Sequence, residues 1–164
     1  MDRTHRRIAA LTGMAGAALL AAGPVMLLRG ATGRKQIRTE LAAQKIAFPE
    51  HGLPPELTPY AGRTVDTGQT AYAYSELIKD HLNHATGGRT YSEISNELMA
   101  GGGEDEEKLT ELRQTAFMGE TLRGSLMSAY QAWHLTTLVM GLGGLLTGLG
   151  TALVGTARAL TKDN

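Results

Sequence analysis

Two stretches without a charged residue lie near the ends of the chain, and a charged stretch separates them. The first, IAALTGMAGAALLAAGPVMLL, is residues 8–28, and the second, LTTLVMGLGGLLTGLGTALVGTA, is residues 135–157. As helices rising ~1.5 Å per residue they would be about 31 Å and about 34 Å long, enough to cross the ~30 Å hydrocarbon core of a bilayer. The pattern predicts two transmembrane helices, 8–28 and 135–157, with short tails at 1–7 and 158–164.

The first apolar stretch also resembles a cleaved signal peptide, since the basic start MDRTHRR precedes it. It is long for the apolar region of a signal peptide, however. Its small-residue cleavage candidate, Ala21-Ala22-Gly23, is followed by Pro24, a poor residue at that place. We therefore expect an uncleaved anchor.

Small residues recur at every fourth position in both stretches. They are Ala9, Gly13, Ala17 and Ala21 in the first, and Gly144, Gly148, Ala152 and Thr156 in the second. Such runs allow two helix backbones to approach closely within a membrane. Gly13, Ala17, Ala21, Gly144, Gly148 and Ala152 are thus predicted helix-packing residues, either between the two spans or against another subunit.

The middle of the chain, residues 29–134, has the pattern of a small helical domain. Four of the five prolines fall in residues 49–59, which predicts a stiff extended path and excludes a helix there. A short extended piece is expected at 45–48, and residues 62–68 are expected to form a turn or a short edge strand.

Helical spacing of apolar positions returns after the proline-rich stretch. A helix is predicted at 69–85, where Tyr74, Leu77 and Ile78 belong to one apolar stripe, and a shorter helix at 91–100. A third pattern continues from about Asp105 into the second span without a strong breaker. The predicted fold class is mostly α, with two transmembrane helices flanking a small helical domain and the second span continuous with a long membrane-proximal helix.

The sequence ATGGRTYSE between the first two of these helices predicts a structural corner. Gly87 and Gly88 suit the left-handed conformation that often ends a helix. Thr90 and Glu93 have the spacing of a capping box, which begins the next helix. A phosphate-binding loop would need a preceding strand and a Walker motif, and the sequence has neither.

Charge predicts the orientation in the membrane. Residues 1–7 and 158–164 together carry five basic and two acidic residues, whereas the middle carries 11 basic and 14 acidic ones. Basic segments stay preferentially in the cytoplasm, so both termini are expected there, in a two-pass plasma-membrane protein with residues 29–134 outside. The basic cluster from Arg29 to Arg38 runs against this assignment, but long loops cross largely regardless of charge.

Residues with catalytic or ligand-binding chemistry do not combine into a recognisable site. The chain has no cysteine, and its net charge of zero argues against nucleic-acid binding. His81 and His84 have a spacing that could share a metal, and His51 and Asp80 are conceivable further ligands although neither is obvious, so solvated histidines are the expected state. The acidic run 104–107 lacks the spacing of a calcium loop. We expect no catalytic residue, metal or cofactor.

The segments TAYAYSELIKDHLNHATGGRTYSEI and RQTAFMGETLRGSLMSAY resemble a family of small two-span membrane proteins from actinobacteria. Its members share an anchor, a proline-containing stretch, a helix ending in an A-T-G-G-[KR]-T-Y-x-E motif and a second span. Some members are labelled aromatic ring-opening dioxygenases. That chemistry needs an iron site of histidine and carboxylate ligands, and these residues supply no convincing set.

The sequence therefore favours a non-enzymatic integral membrane protein that makes protein–protein contacts through its outer domain and its Gly/Ala-rich spans. Its expected partners are the lipid bilayer and either another membrane protein, such as an envelope or respiratory complex that it serves as an accessory subunit, or further copies of itself. The alternative is an extracytoplasmic module that binds or senses a small ligand. An enzyme using His51, His81 and His84 with a metal is a third hypothesis.

Overall fold

The computed structural model describes residues 3–101 and 105–162, and the described chain is mostly helical. Four α-helices follow one another: α1 (Arg3–Ala43), α2 (Gly68–Thr86), α3 (Tyr91–Met99) and α4 (Glu106–Lys162). A 3₁₀ helix, Pro55–Tyr60, precedes α2.

The chain divides into two compact units. The hairpin unit contains residues 1–36 and 134–164, and the central unit contains residues 37–133. Each of α1 and α4 is a single uninterrupted helix. One part of each helix belongs to the hairpin unit and the other part to the central unit.

Both long helices are long and apolar enough to cross a membrane. Only 11% of the most apolar 18-residue segment of each helix is buried by the rest of the chain. A core helix of a soluble domain would be mostly covered. Large side chains such as Leu11, Met14 and Leu28 are instead about two-thirds exposed, which is the arrangement expected of helices solvated by lipid.

The central unit is organised around a small apolar cluster. Phe48 is 3% exposed and lies between the rings of Tyr60 and Tyr74, with centroid distances of 5.3 and 5.1 Å. The main members of the cluster are Leu41, Phe48, Leu57, Val65, Ala71, Ala73, Leu77 and Leu126. Aromatic pairs at these distances contribute beyond the area they bury, so Phe48 joins the proline-rich segment to α2.

Two short extended segments pair beside this cluster. Ala47 and Thr64 form an antiparallel bridge, and the Phe48 amide donates to the Arg63 carbonyl over 2.9 Å. The Val65 amide donates to the Ile46 carbonyl over the same distance. The extended piece expected at 45–48 therefore pairs through one bridge with 62–68, the segment expected to be a turn or a short edge strand.

A second apolar cluster joins α3 to α4. Ile94 is fully buried, and Leu109 and Ala116 of α4 complete the cluster, with Leu98 and Leu112 packed at its edge. The face of α3 that carries Ile94 and Leu98 is the face that α4 covers.

The structure corrects two local expectations. The first helix was expected to end with the apolar stretch at residue 28, but α1 continues to Ala43. The proline-rich segment was expected to contain no helix, but residues 55–60 form a 3₁₀ helix. Pro55 occupies the first turn, where no amide donor is needed, so its missing N–H carries no penalty.

For α2, α3 and α4, the predicted helix bounds are close to those observed. The helix expected at 69–85 is α2, the helix expected at 91–100 is α3, and α4 runs from Glu106 through the second apolar stretch. Ala85 is exposed and does not belong to the buried stripe of α2. Gly102, Gly103 and Glu104, the last of which begins the acidic run, lie outside the described residues, as do residues 1–2 and 163–164.

Candidate functional site

The interface between α1 and α4 in the hairpin unit is built on glycines seven residues apart. Gly16 and Gly23 of α1, and Gly143 and Gly150 of α4, are all buried. A Cβ added at Gly16 would lie 2.9 Å from the Gly150 carbonyl oxygen, and one added at Gly143 would lie 2.8 Å from the Gly23 carbonyl oxygen. Because the nearest atoms belong to the backbone of the other helix, only glycine fits at these positions. Seven-residue spacing is that of a left-handed helix pair.

This register aligns the two uncharged stretches with each other. Gly23 faces the segment between Gly143 and Thr147, and Gly30 faces the segment between Thr136 and Met140. Leu28 is consequently level with about residue 140. The stretch in which both helices lack charge is about 18 residues, or ~27 Å at ~1.5 Å per residue. That length is close to the ~30 Å hydrocarbon core of a bilayer.

The predicted helix-packing residues mostly lie away from this interface. Gly13 is at its edge, since a Cβ added there would be 3.4 Å from the Ala157 Cβ. Ala17, Ala21 and Ala152 are exposed. A Cβ added at Gly144 or Gly148 would meet nothing within 4 Å.

Gly144, Gly148 and Ala152 therefore make a face of α4 that α1 leaves uncovered, which we call the outer small face. Gly141 and Gly155 extend it, because a Cβ at either position would also meet nothing within 4 Å. Sequence reasoning concentrated on four-residue spacing and missed the seven-residue series 16, 23, 30 and 143, 150. That series was visible in the sequence, and it is the one the hairpin uses.

Arg34 links α1 to α4 at the other end of the hairpin unit. Its guanidinium donates to the hydroxyls of Thr136 and Thr137, with 3.4 Å between Arg34 Nε and Thr136 Oγ1. These two hydrogen bonds hold α1 and α4 together at this end.

The corner between α2 and α3 has the predicted geometry. Gly87 ends α2 with φ 62°, and Gly88 follows with φ 79°, both in the region that favours glycine. The Glu93 amide donates to the Thr90 hydroxyl over 3.3 Å, and the Thr90 amide donates to a Glu93 carboxylate oxygen over 2.7 Å. These bonds form the expected capping box. A second one, missed in the sequence, joins Thr67 and Thr70 at the start of α2.

Hydrogen bonds from Thr90 lower the pKa of the Glu93 carboxyl below its ordinary value of 4.5. The backbone amide has the largest effect, followed by the Thr90 hydroxyl, which lies 2.8 Å from the same carboxylate oxygen. The amide and hydroxyl of Thr90 and the amide of Glu93 are thus engaged in hydrogen bonds within the corner itself.

The histidines are exposed, and the structure describes no shared ligand site for them. His84 Nδ1 donates to the Asp80 carbonyl oxygen over 2.8 Å, which is a bond within α2. Among residues 3–101 and 105–162, no three His, Asp or Glu side chains are close enough to hold a metal ion. Glu104 of the acidic run lies outside these residues.

A cleft of about 420 Å³ lies between the 3₁₀ helix and α2 in the central unit. Three carboxylates line it, from Glu56, Glu76 and Asp80, together with the rings of Tyr60 and Tyr72. Glu76 already pairs with Lys79 over 3.5 Å, and Arg63 lies over the Tyr60 ring at 5.4 Å. The acids and aromatic rings favour a positively charged ligand.

Comparison of the chain with protein-family models, with curated proteins and with solved structures gives no match.

Proposed function

We propose that this chain is a non-enzymatic, two-span plasma-membrane protein that contacts another membrane protein, or a second copy of itself, through the outer small face of α4. In this proposal residues 29–134 lie outside the cell, both termini lie in the cytoplasm, and the chain serves as an accessory subunit of a larger envelope or respiratory complex. Its likeness to the two-span actinobacterial family is part of the same proposal.

The observation that carries the proposal is that α4 has two separate sets of small residues and the hairpin uses one of them. Gly143 and Gly150 meet the backbone of α1, and they are required by that contact. Gly144 and Gly148 meet nothing in the described chain. Glycine in a helix costs about 1 kcal/mol relative to alanine, and close approach of a second helix is what offsets that cost in membrane proteins.

Crosslinking in cell membranes tests this contact, because the chain has no cysteine of its own. A Gly148→Cys variant should form an intermolecular disulfide, with itself or with a partner, when the membranes are oxidised. Leu142→Cys is the matched control, since Leu142 is 42% exposed on a different face of the same helix. Equal crosslinking of the two variants, or none with Gly148→Cys, would count against the outer small face. Purification of the wild type in mild detergent should recover the same partner.

A second function, binding of a small cationic molecule, is favoured by the cleft at Glu56, Glu76 and Asp80. The test is a thermal-shift screen of the full chain in detergent against organic amines. A stabilising amine should lose its effect in Glu76→Gln and keep it in Glu111→Gln, whose side chain lies outside the cleft. Stabilisation of all three proteins to the same degree would exclude the cleft as the binding site.

A further inference from the structure

We propose that the hairpin unit binds an anionic phospholipid in a groove where the amino-terminal part of α1 meets the carboxy-terminal part of α4. The groove has a volume of about 430 Å³. Arg6 and Arg158 line it from the two helices, and Gly13, Ala17 and Val154 are among its apolar walls. This arginine groove is separate from the outer small face. The inference rests on the membrane location in the proposed function but on none of its protein contacts.

The two arginines converge because of the helix register. Since Gly16 lies against Gly150 and Val154, Arg158 is level with about residue 10 of α1. It therefore lies about one helical turn, or ~6 Å, farther into the hairpin than Arg6. Two guanidiniums offset by one turn can donate to different oxygens of one phosphate group, and arginine is well suited to that geometry.

No acidic side chain of this unit neutralises the two arginines within the part of the chain that the structure describes. Residues 3–36 and 134–162 contain no aspartate or glutamate at all. Residues 1–7 and 158–164 carry five basic residues against two acidic ones, Asp2 and Asp163. A second groove, lined by Arg3, Arg6 and Arg7, adjoins Arg6 and adds to the positive potential. The missing negative charge is what an anionic headgroup would supply.

The lining of the groove beyond the two arginines distinguishes a lipid from a free anion as its ligand. From Arg6 to Ala17 the groove follows α1 for about 16 Å at ~1.5 Å per residue, and its walls beyond the arginines are alanine, glycine and valine. The Thr161 hydroxyl also reaches the groove, but it donates to the Arg158 carbonyl over 2.8 Å. An apolar wall that continues away from two cations fits an acyl chain below a charged headgroup, and a free phosphate would leave this wall uncovered.

Native mass spectrometry of the purified full chain in an uncharged detergent tests the proposal. Phosphatidylglycerol and phosphatidylcholine with identical acyl chains are the probes. A basic residue near the membrane surface contributes about fivefold to binding of an anionic lipid, so the two arginines together should give a preference of about 30-fold for phosphatidylglycerol. Inorganic phosphate at millimolar concentration should not displace the lipid.

Two variants and one control identify the groove. Arg6→Gln with Arg158→Gln should remove most of the preference. Arg29→Gln with Lys35→Gln removes the same charge from the other part of the hairpin unit and should preserve it. Ala10→Trp places an indole in the groove while both arginines remain, and it should weaken phosphatidylglycerol binding.

Three results would overturn the proposal: equal binding of the two lipids by the wild type, equal loss of preference in the two charge variants, or displacement of the lipid by inorganic phosphate. Because purified protein is used, these results do not depend on whether Gly148→Cys crosslinks in cells. The two proposals can therefore fail separately.

Discussion

A glycine in α4 has opposite roles depending on which side of the helix it occupies. At Gly143 even a methyl group would collide with the backbone of α1, whereas at Gly144 it would meet nothing. These residues are neighbours in sequence and lie about 100° apart around the helix. Residue type alone thus does not separate the glycines that hold the hairpin together from those left for another contact.

Substitution of single glycines should separate the two roles. A Cβ at Gly23 would lie 2.7 Å from the Gly143 carbonyl oxygen and 2.8 Å from the Thr147 amide nitrogen, so Gly23→Ala should destabilise the hairpin by about 1–3 kcal/mol, as overpacking does. In the detergent-solubilised monomer, where the outer small face is uncovered, Gly144→Ala should be neutral, or stabilising by up to ~1 kcal/mol, because alanine is the better helix former. Thermal unfolding in one detergent, followed by the fluorescence of Trp133, makes the comparison. The assignment fails if both variants melt alike.

The cap of α3 should depend on the hydroxyl of a single residue. Thr90→Ala removes the oxygen that accepts from the Glu93 amide, and loss of such a cap costs about 1 kcal/mol. Ser128→Ala is the control, since the Ser128 hydroxyl only donates to the Gly124 carbonyl within α4. Chemical unfolding of the full chain should show the larger loss for Thr90→Ala. A loss no greater than that of the control would contradict the capping role.

The same cap should make the stability of the corner depend on pH. The pKa of Glu93 is lowered in the folded chain by hydrogen bonds from the Thr90 amide and hydroxyl. Its carboxylate therefore stabilises the fold fully above the ordinary pKa of 4.5, and this contribution is lost as the pH falls through the lowered folded value. Glu93→Gln keeps an acceptor for the Thr90 amide but does not titrate. The stability difference between wild type and Glu93→Gln should be constant above about pH 5.5 and change only below the ordinary pKa. A difference that varies between pH 6 and 8 would be inconsistent with this cause.

At the scale of elements, the sequence specified the helices whose ends carry local signals. Thr90 and Glu93 define the start of α3, and Gly87 defines the end of α2, because capping depends on residues within one turn. The end of α1 has no such signal: no proline interrupts residues 29–43, and its continuation depends on contacts such as Leu41 with the core of the central unit. Tertiary packing of this kind is not encoded in a local pattern.

The pairing of α1 with α4 could not be derived from the sequence either. Four-residue and seven-residue series of small residues coexist in both helices, and each is compatible with close packing. Only the register distinguishes them, and the register depends on the fit of two backbones. The candidate grooves could not be predicted for the same reason, because their walls come from segments distant in sequence. For Arg6 and Arg158, the sequence showed basic ends but not that the two residues line one groove.

The register of the helix pair can be tested with an engineered disulfide. A Cβ at position 13 would be 3.4 Å from the Ala157 Cβ, near the ~3.5–4.5 Å that a disulfide requires. Gly13→Cys with Ala157→Cys should therefore form an intramolecular bond on mild oxidation, seen as a mobility shift that reductant reverses. Gly13→Cys with Gly148→Cys is the control and should give no intramolecular bond, since Gly148 faces away from α1. Efficient closure of the control pair would mean that the register is different.

At the scale of the whole molecule, the charge pattern and the helix register act together. The register leaves a common uncharged length of about 18 residues, ~27 Å, and basic residues bound it at both ends: Arg29 follows it in α1 and Arg158 follows it in α4. Long basic side chains at such positions can extend to the membrane surface. Both ends of the pair are thus suited to a membrane interface, and the balance of the remaining charges must decide the orientation.

That orientation can be measured by labelling single cysteines in intact cells. The excess of basic residues in 1–7 and 158–164, against the acidic excess between the spans, predicts cytoplasmic termini. Glu50→Cys, an exposed position in the central unit, should react with a membrane-impermeant maleimide added to whole cells. Lys162→Cys should react only after the membrane is permeabilised, because it lies in the carboxy-terminal tail. Labelling of Lys162→Cys alone in intact cells would show the reverse orientation and place the arginine groove in the outer leaflet. Retention of both variants in the membrane pellet after alkaline carbonate washing is required for either result, since a soluble chain would present both cysteines equally.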